Sequence, residues 1–143
     1  MEYLWIIFAL LSALTAALVA IFGKIGLQNI DSTTATAIRS IVMALFLTII
    51  VFSQKKFNEI SSIFANSKAL YFIVLSGVAG ALSWLFYFLA LKFGTVRQVV
   101  PIDRLSIVFA LVFAAIFLGE KLNLYSIIGI ILITVGAIII ALN

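Results

Sequence analysis

The chain has 143 residues, 66% of them hydrophobic and only 10% charged, with a mean hydropathy of +1.36. Soluble domains lie near about 45–50% apolar, so this composition cannot make a water-facing surface, and the chain reads as an all-α integral membrane protein. The net charge of +4 is no sign of nucleic acid, because the Lys and Arg sit mainly at the borders of apolar runs, where they meet headgroups; with no Cys and no His, disulfides, thiolate nucleophiles, imidazole metal sites and histidine switches are excluded.

A membrane β-barrel alternates over segments of about ten residues, whereas these runs are continuous and about twice that long. The first runs from Tyr3 to Phe22 and is closed by Gly23, Lys24 and Gly26. The N-terminus lacks the basic region and small-residue site of a cleaved signal, so this run is expected to remain as a spanning helix. Ser12, Thr15 and Val19 recur at helical spacing among alanines, giving one face hydroxyls and room for close approach. Tyr3 and Trp5 stand where an aromatic belt belongs, and Glu2 lies at the edge.

Asp31, Ser32 and Thr33 can cap a second span that reaches about Phe52. Arg39 falls one to two turns inside it, where it either snorkels back to the interface or points into a hydrated cavity. Gln54 to Lys68 is the only substantial polar connection; Phe57, Ile60 and Phe64 repeat on one face, as in a short helix lying in the interface.

The third span, Ala69 to Leu91, is uncharged. Ser76, Gly80, Ser83 and Tyr87 follow a 4-3-4 spacing on one face, fit either for helix packing or, at Ser83 and Tyr87, for hydrogen bonds to a solute. Trp84 lies beside them near mid-membrane, deeper than a belt tryptophan, and is read as bordering a cavity. Gly94 ends this helix, and the connection is so short that the third and fourth helices are expected to be antiparallel neighbours.

The fourth span, from about Thr95 to Gly119, carries Arg97, Pro101, Asp103 and Arg104 in its first half. A proline there removes a backbone donor, and the charges are costly in hydrocarbon unless paired or hydrated, so this end is built for more than anchoring. Arg97, Pro101 and Arg104 share one face of a helix; Asp103 lies about a hundred degrees away and is expected to find a partner elsewhere. Leu122 to Leu142 forms the fifth span, in which Ser126, Gly129, Ile133 and Gly136 fall on one face suited to close contact within or between chains.

Five spans put the termini on opposite sides. Lys55, Lys56, Lys68 and Lys121 face one side and Lys24, Lys92 and Arg97 the other, with Arg39 and Arg104 nearer the second, so the positive-inside bias is weak. Many transporters consist of two such units in opposite orientations, and a chain with little bias can supply both as an antiparallel homodimer.

Three stretches, TATAIRSIVMALFL, FYFLALKFGTVRQVVPIDRLSIVFALVFAAIFLGEKL and IIGIILITVGAIIIAL, are similar to the EamA-like units of the drug/metabolite transporter superfamily. The combination of Ala90-Leu91 before Gly94, Pro101 shortly after, and Phe117-Leu118-Gly119-Glu120 at the end carries the resemblance, which covers essentially the whole chain. It implies an inner-membrane protein moving small metabolites, commonly outward. Most members hold two such units in ten spans, so this chain resembles a single unit, one half of the inverted repeat. The related small multidrug resistance proteins have four spans and a carboxylate in the first; this first span has none, and their proton-coupled mechanism for cationic drugs does not carry over.

The resulting expectation is alternating access, with helices one to four lining the cavity and the fifth packing or dimerising. Ser12, Thr15, Arg39, Ser83, Trp84, Tyr87, Arg97, Pro101 and Arg104 are the substrate-cavity candidates, Asp103 the coupling candidate, and Ser76, Gly80, Ser126, Gly129 and Gly136 the packing or dimer positions. The arginines favour anionic or zwitterionic solutes over cations. No cofactor or metal is expected. A non-transporting assembly subunit is the second reading; a lipid enzyme is the third, short of a nucleophile with a base or of paired carboxylates.

Overall fold

The computed structural model describes residues 3–142; Glu2 lies outside the described residues. In chain order the elements are α1 (Leu4–Gly26), α2 (Ser32–Ser53), α3 (Phe57–Ala65), α4 (Ser67–Phe93), α5 (Val96–Asp103), α6 (Ser106–Phe113), a π-helical turn (Ala114–Leu118) and α7 (Leu124–Leu142). Five helices are long and apolar enough to cross a membrane: α1, α2, α4, Val96–Leu118 taken as one, and α7. Their large side chains point outward, with Phe8 66% exposed, Phe46 62% and Leu132 67%. Such exposure over every span is sustainable only against lipid, where an apolar surface has no water to avoid.

The helix ends follow local chemistry. The Asp31 carboxylate accepts from the Thr34 N–H at 2.8 Å and from its hydroxyl at 2.9 Å, fixing the start of α2. Thr95 and Gln98 form a reciprocal capping box at the start of α5. A side chain on Gly94, in the turn before it, would meet the Val99 Cγ2 at 2.9 Å and the Ala90 carbonyl at 3.3 Å, so the tight connection depends on glycine. Gly119 takes the left-handed conformation, φ +70°, that terminates the fourth span. Asn123 caps α7, accepting from the Ser126 N–H at 2.8 Å and its hydroxyl at 3.0 Å, so the fifth helix starts slightly later than Leu122. Ser126, expected on a packing face, thus serves the helix start.

The interruption of the fourth span lies beyond Pro101 rather than at it. Residues 104 and 105 form a turn in which Leu105 bonds back to Ile102 at 3.0 Å and Val108 to Leu105 at 2.9 Å, three-residue steps in place of four. Pro101 itself sits within α5. Its ring displaces the preceding turn, and the next residues absorb the mismatch by tightening.

The chain divides into two compact units, one formed by residues up to Ile25 with those from Ala90 onward, the other by Gly26–Leu89. In the first unit α5 packs on α7, with Ala137 buried. Lys24, near the end of α1, donates from Nζ to the Leu91 carbonyl at 2.6 Å and the Gly94 carbonyl at 2.7 Å. These are C-terminal carbonyls of α4, with few helical partners and a partial negative charge, so an ammonium is a fitting cap. In the second unit Phe57 of α3 meets Phe52 edge-on, ring centres 4.4 Å apart, and Phe57, Ile60 and Phe64 stay exposed along one side. An added Cβ at Gly80, Gly129 or Gly136 would meet nothing within 4 Å, so the close contact expected at these glycines is not made within the chain.

Lys24→Met is expected to lower stability by about 2 kcal/mol, the scale of hydrogen bonds to a charged group. Thermal unfolding in detergent, with Lys121→Met as the exposed control, checks this; equal shifts in the two variants would show that the cap contributes nothing.

Candidate functional site

The site within the second unit begins with a cation that has nowhere conventional to go. Arg39 lies seven residues beyond Ser32, roughly 10 Å along the axis of α2. Its guanidinium carbon rests 3.7 Å from the centre of the Trp84 ring and 5.0 Å from that of Phe88. Stacking on a π face suits a planar, weakly hydrated cation and offsets part of its desolvation. The offset is incomplete, because Nη1 is buried and has no protein hydrogen-bond partner. A buried donor left in that state costs free energy.

Three aromatic side chains of α4 form the shelf beneath it. Trp84 and Tyr87 meet edge-on with ring centres 5.6 Å apart, Tyr87 and Phe88 likewise at 5.8 Å, and Trp84 and Phe88 are tilted at 5.8 Å. Phe88 is buried, Trp84 and Tyr87 half-buried. The shelf arises from helical geometry: Trp84 and Phe88 are four apart on one face, with Tyr87 beside them.

A groove of about 340 Å³ runs between the same two helices, lined by Thr33, Thr36, Ala37 and Ser40 of α2 and by Val78, Ala81, Leu82 and Leu85 of α4. The hydroxyls of Thr36 and Ser40 are turned to their own helix, donating to the Ser32 carbonyl at 2.7 Å and the Thr36 carbonyl at 2.9 Å. The groove therefore presents little free polarity. At about 100° per residue, Arg39 and Trp84 each point about 110° away from their helix's groove-lining face, so the groove and the cation lie on different sides of the seam.

Of the residues expected to line a cavity, Arg39, Trp84 and Tyr87 come together, joined by Phe88. Ser83 is exposed. Ser12 and Thr15 are exposed on α1 in the first unit, and the Thr15 hydroxyl bonds back to the Leu11 carbonyl at 2.9 Å and the Ser12 carbonyl at 3.0 Å. There too, Pro101 and Arg104 line a groove of about 370 Å³ against Ile133, Gly136, Ala137 and Ile140 of α7. Arg97 is exposed and outside that lining. Asp103 is half-buried. Among the described residues no group of three or more His, Cys, Asp or Glu is placed to hold a metal.

Phe88 was not foreseen. Its signal is the position one helical turn after Trp84, which matters only once Arg39 is known to lie across α4.

The profile of the EamA-like transporter family matches residues 3–142. A protein of Sinorhizobium sp. described as an uncharacterized transporter in the cobO 3′ region is 43% identical over 141 residues, which cover 99% of this chain and 99% of that one. No solved structure matches.

A double-mutant cycle on thermal unfolding, with Arg39→Leu, Trp84→Leu and the pair, is expected to give a coupling of about 1 kcal/mol. A coupling indistinguishable from zero would mean that the guanidinium does not rest on the indole.

Proposed function

The chain belongs to the EamA-like transporter family, a family of multi-pass small-molecule membrane transporters, and we propose that it is an export-type carrier of anionic or zwitterionic metabolites. Its place is the inner (cytoplasmic) membrane, and it works by alternating access as an antiparallel homodimer, each copy supplying one five-helix half of a ten-helix inverted repeat. The observation that carries the reading is Arg39, a cation inside a spanning helix whose Nη1 has no protein partner. Low-dielectric surroundings strengthen the attraction of such a group for a carboxylate or phosphate and its repulsion of a cation.

The weak charge bias supports insertion in both orientations, since neither side collects a clear excess of Lys and Arg. The break after Pro101 supports movement of one part of the fourth span against the other. Asp103, half-buried beside that break, is the group assigned to proton coupling. Chemical turnover of the solute is not part of the proposal. The second reading, a non-transporting assembly subunit, draws on the open space over Gly129 and Gly136 of α7, where another helix can approach closely.

In proteoliposomes the protein is expected to accumulate an organic acid or amino acid but no organic cation, with Arg39→Gln reducing flux at least about tenfold. Asp103→Asn is expected to move solute without responding to an imposed proton gradient. Flux of cations alone would refute the substrate class, and absence of any flux would favour the subunit reading. Tags at the two termini are expected on both faces of the membrane; a functional protein inserted in a single orientation would refute the antiparallel dimer.

A further inference from the structure

We infer that the Arg39 site receives a monocarboxylate with an apolar body, and that this solute changes places with the guanidinium on Trp84. The inference rests on the carrier reading for Arg39 as the binding group, and it narrows the solute to one charge type.

Three observations lead to it. First, Arg39 is covered where it matters: Nη1 is buried, and a π face lies 3.7 Å from the guanidinium carbon. A solute cannot pair with that donor while the guanidinium lies on the shelf. A carboxylate that takes this donor as one arm of a two-bond fork lifts the guanidinium off, and the replacement is favourable because two parallel N–H···O bonds to a carboxylate are stronger than contact with a ring. Second, lifting it uncovers the faces of Trp84 and Phe88. Exposed indole and phenyl faces are matched by an apolar or flat group, so the rest of the solute is the natural successor on the shelf.

Third, the charge beside the shelf in this unit is a single one. The other cations of this unit are Lys55, Lys56 and Lys68, and Lys92, at the end of α4, lies about 12 Å beyond Trp84 by helical rise. By helical rise, Lys55 and Lys56 lie about 20 Å or more from Arg39 along α2, and Lys68 lies about 24 Å from Trp84 along α4. Its described carboxylates are Asp31, about 12 Å before Arg39 and engaged in the α2 cap, and Glu59 on α3. One guanidinium balances one carboxylate. A phosphate monoester leaves a negative charge uncompensated, and the ammonium of an amino acid finds no carboxylate beside the shelf.

Trp84 is also the reporter. The only other tryptophan is Trp5 on α1, so Trp5→Phe leaves a single indole to observe. With this variant in nanodiscs, 3-phenylpropionate is expected to change the Trp84 emission saturably. The half-saturating concentration is expected to rise at least about tenfold in Arg39→Lys, which keeps the charge but loses the fork, and the response to vanish in Arg39→Gln. Should Arg39→Gln fail to accumulate, Arg39→Lys alone carries the test. Phenylalanine, phenyl phosphate and phenethylamine share the ring and vary the charge; each is expected to bind at least about tenfold more weakly. Equal or tighter binding of any of the three, or a response to 3-phenylpropionate unchanged by both Arg39 variants, would overturn the inference. Saturable Arg39-dependent binding without flux in proteoliposomes would sustain it and refute the carrier; flux without an Arg39-dependent Trp84 response would do the reverse.

Discussion

Every peptide group carried into hydrocarbon must be bonded within the protein, since lipid offers neither donor nor acceptor. That constraint orders most of what is seen along this chain. Hydroxyls in the spans turn back on their own helices, as at Thr15, Thr36, Thr48 and Thr134, each donating to a carbonyl four residues earlier. Where the chain must turn, a side chain takes over: the Asp31 carboxylate, the Thr95–Gln98 box and the Asn123 amide occupy the helix starts. The end of α4 is met by a charge instead, the Lys24 ammonium on two carbonyls. A lysine at the border of an apolar run would ordinarily reach for headgroups; this one is bound to backbone.

Arg39 is the exception that the constraint brings into view. Lys24 has satisfied acceptors, whereas Arg39 has aromatic faces and a donor with no protein partner. A core selected only for stability replaces such a cation by a packed apolar side chain, often without loss. Such a cation inside a span fits the recognition role proposed above. Pro101 and the tightened turn at 104–105 are the counterpart in the backbone: a place where the regular ladder is given up within a span.

How much of this is legible in the sequence follows from the range of each interaction. The five spans are written in runs of apolar residues, and the boundaries at Asp31, Gly94–Thr95 and Gly119 depend on bonds between residues a few positions apart, so they can be read directly. The cap on α4 joins residues 67 and 70 positions apart and leaves no local trace. Arg39 was legible as an anomaly, but whether it snorkels or turns inward is decided by the shelf of Trp84 and Phe88, which belongs to another helix. Helical wheels placed Arg97 with Pro101 and Arg104; Pro101 and Arg104 line one groove, while Arg97, one turn nearer the helix start, is exposed, because a wheel gives direction about the axis but not what packs at each depth. Glycine spacing shows where a helix can approach, within or between chains, and at Gly80, Gly129 and Gly136 nothing in this chain comes within 4 Å of an added Cβ.

The covered position of Arg39 bears on how a solute and a conformational change can be linked. A ligand shifts an equilibrium only through its different affinity for the two states, and a state in which the binding donor is buried under a ring has low affinity by construction. In the exchange proposed above, the stack on Trp84 compensates the cation in the absence of solute and is given up in its presence. Lifting the guanidinium there also removes the contact between Trp84 and α2 seen in this unit, beside the open groove between α2 and α4. In that exchange, solute charge would couple to helix packing through one side chain, Arg39.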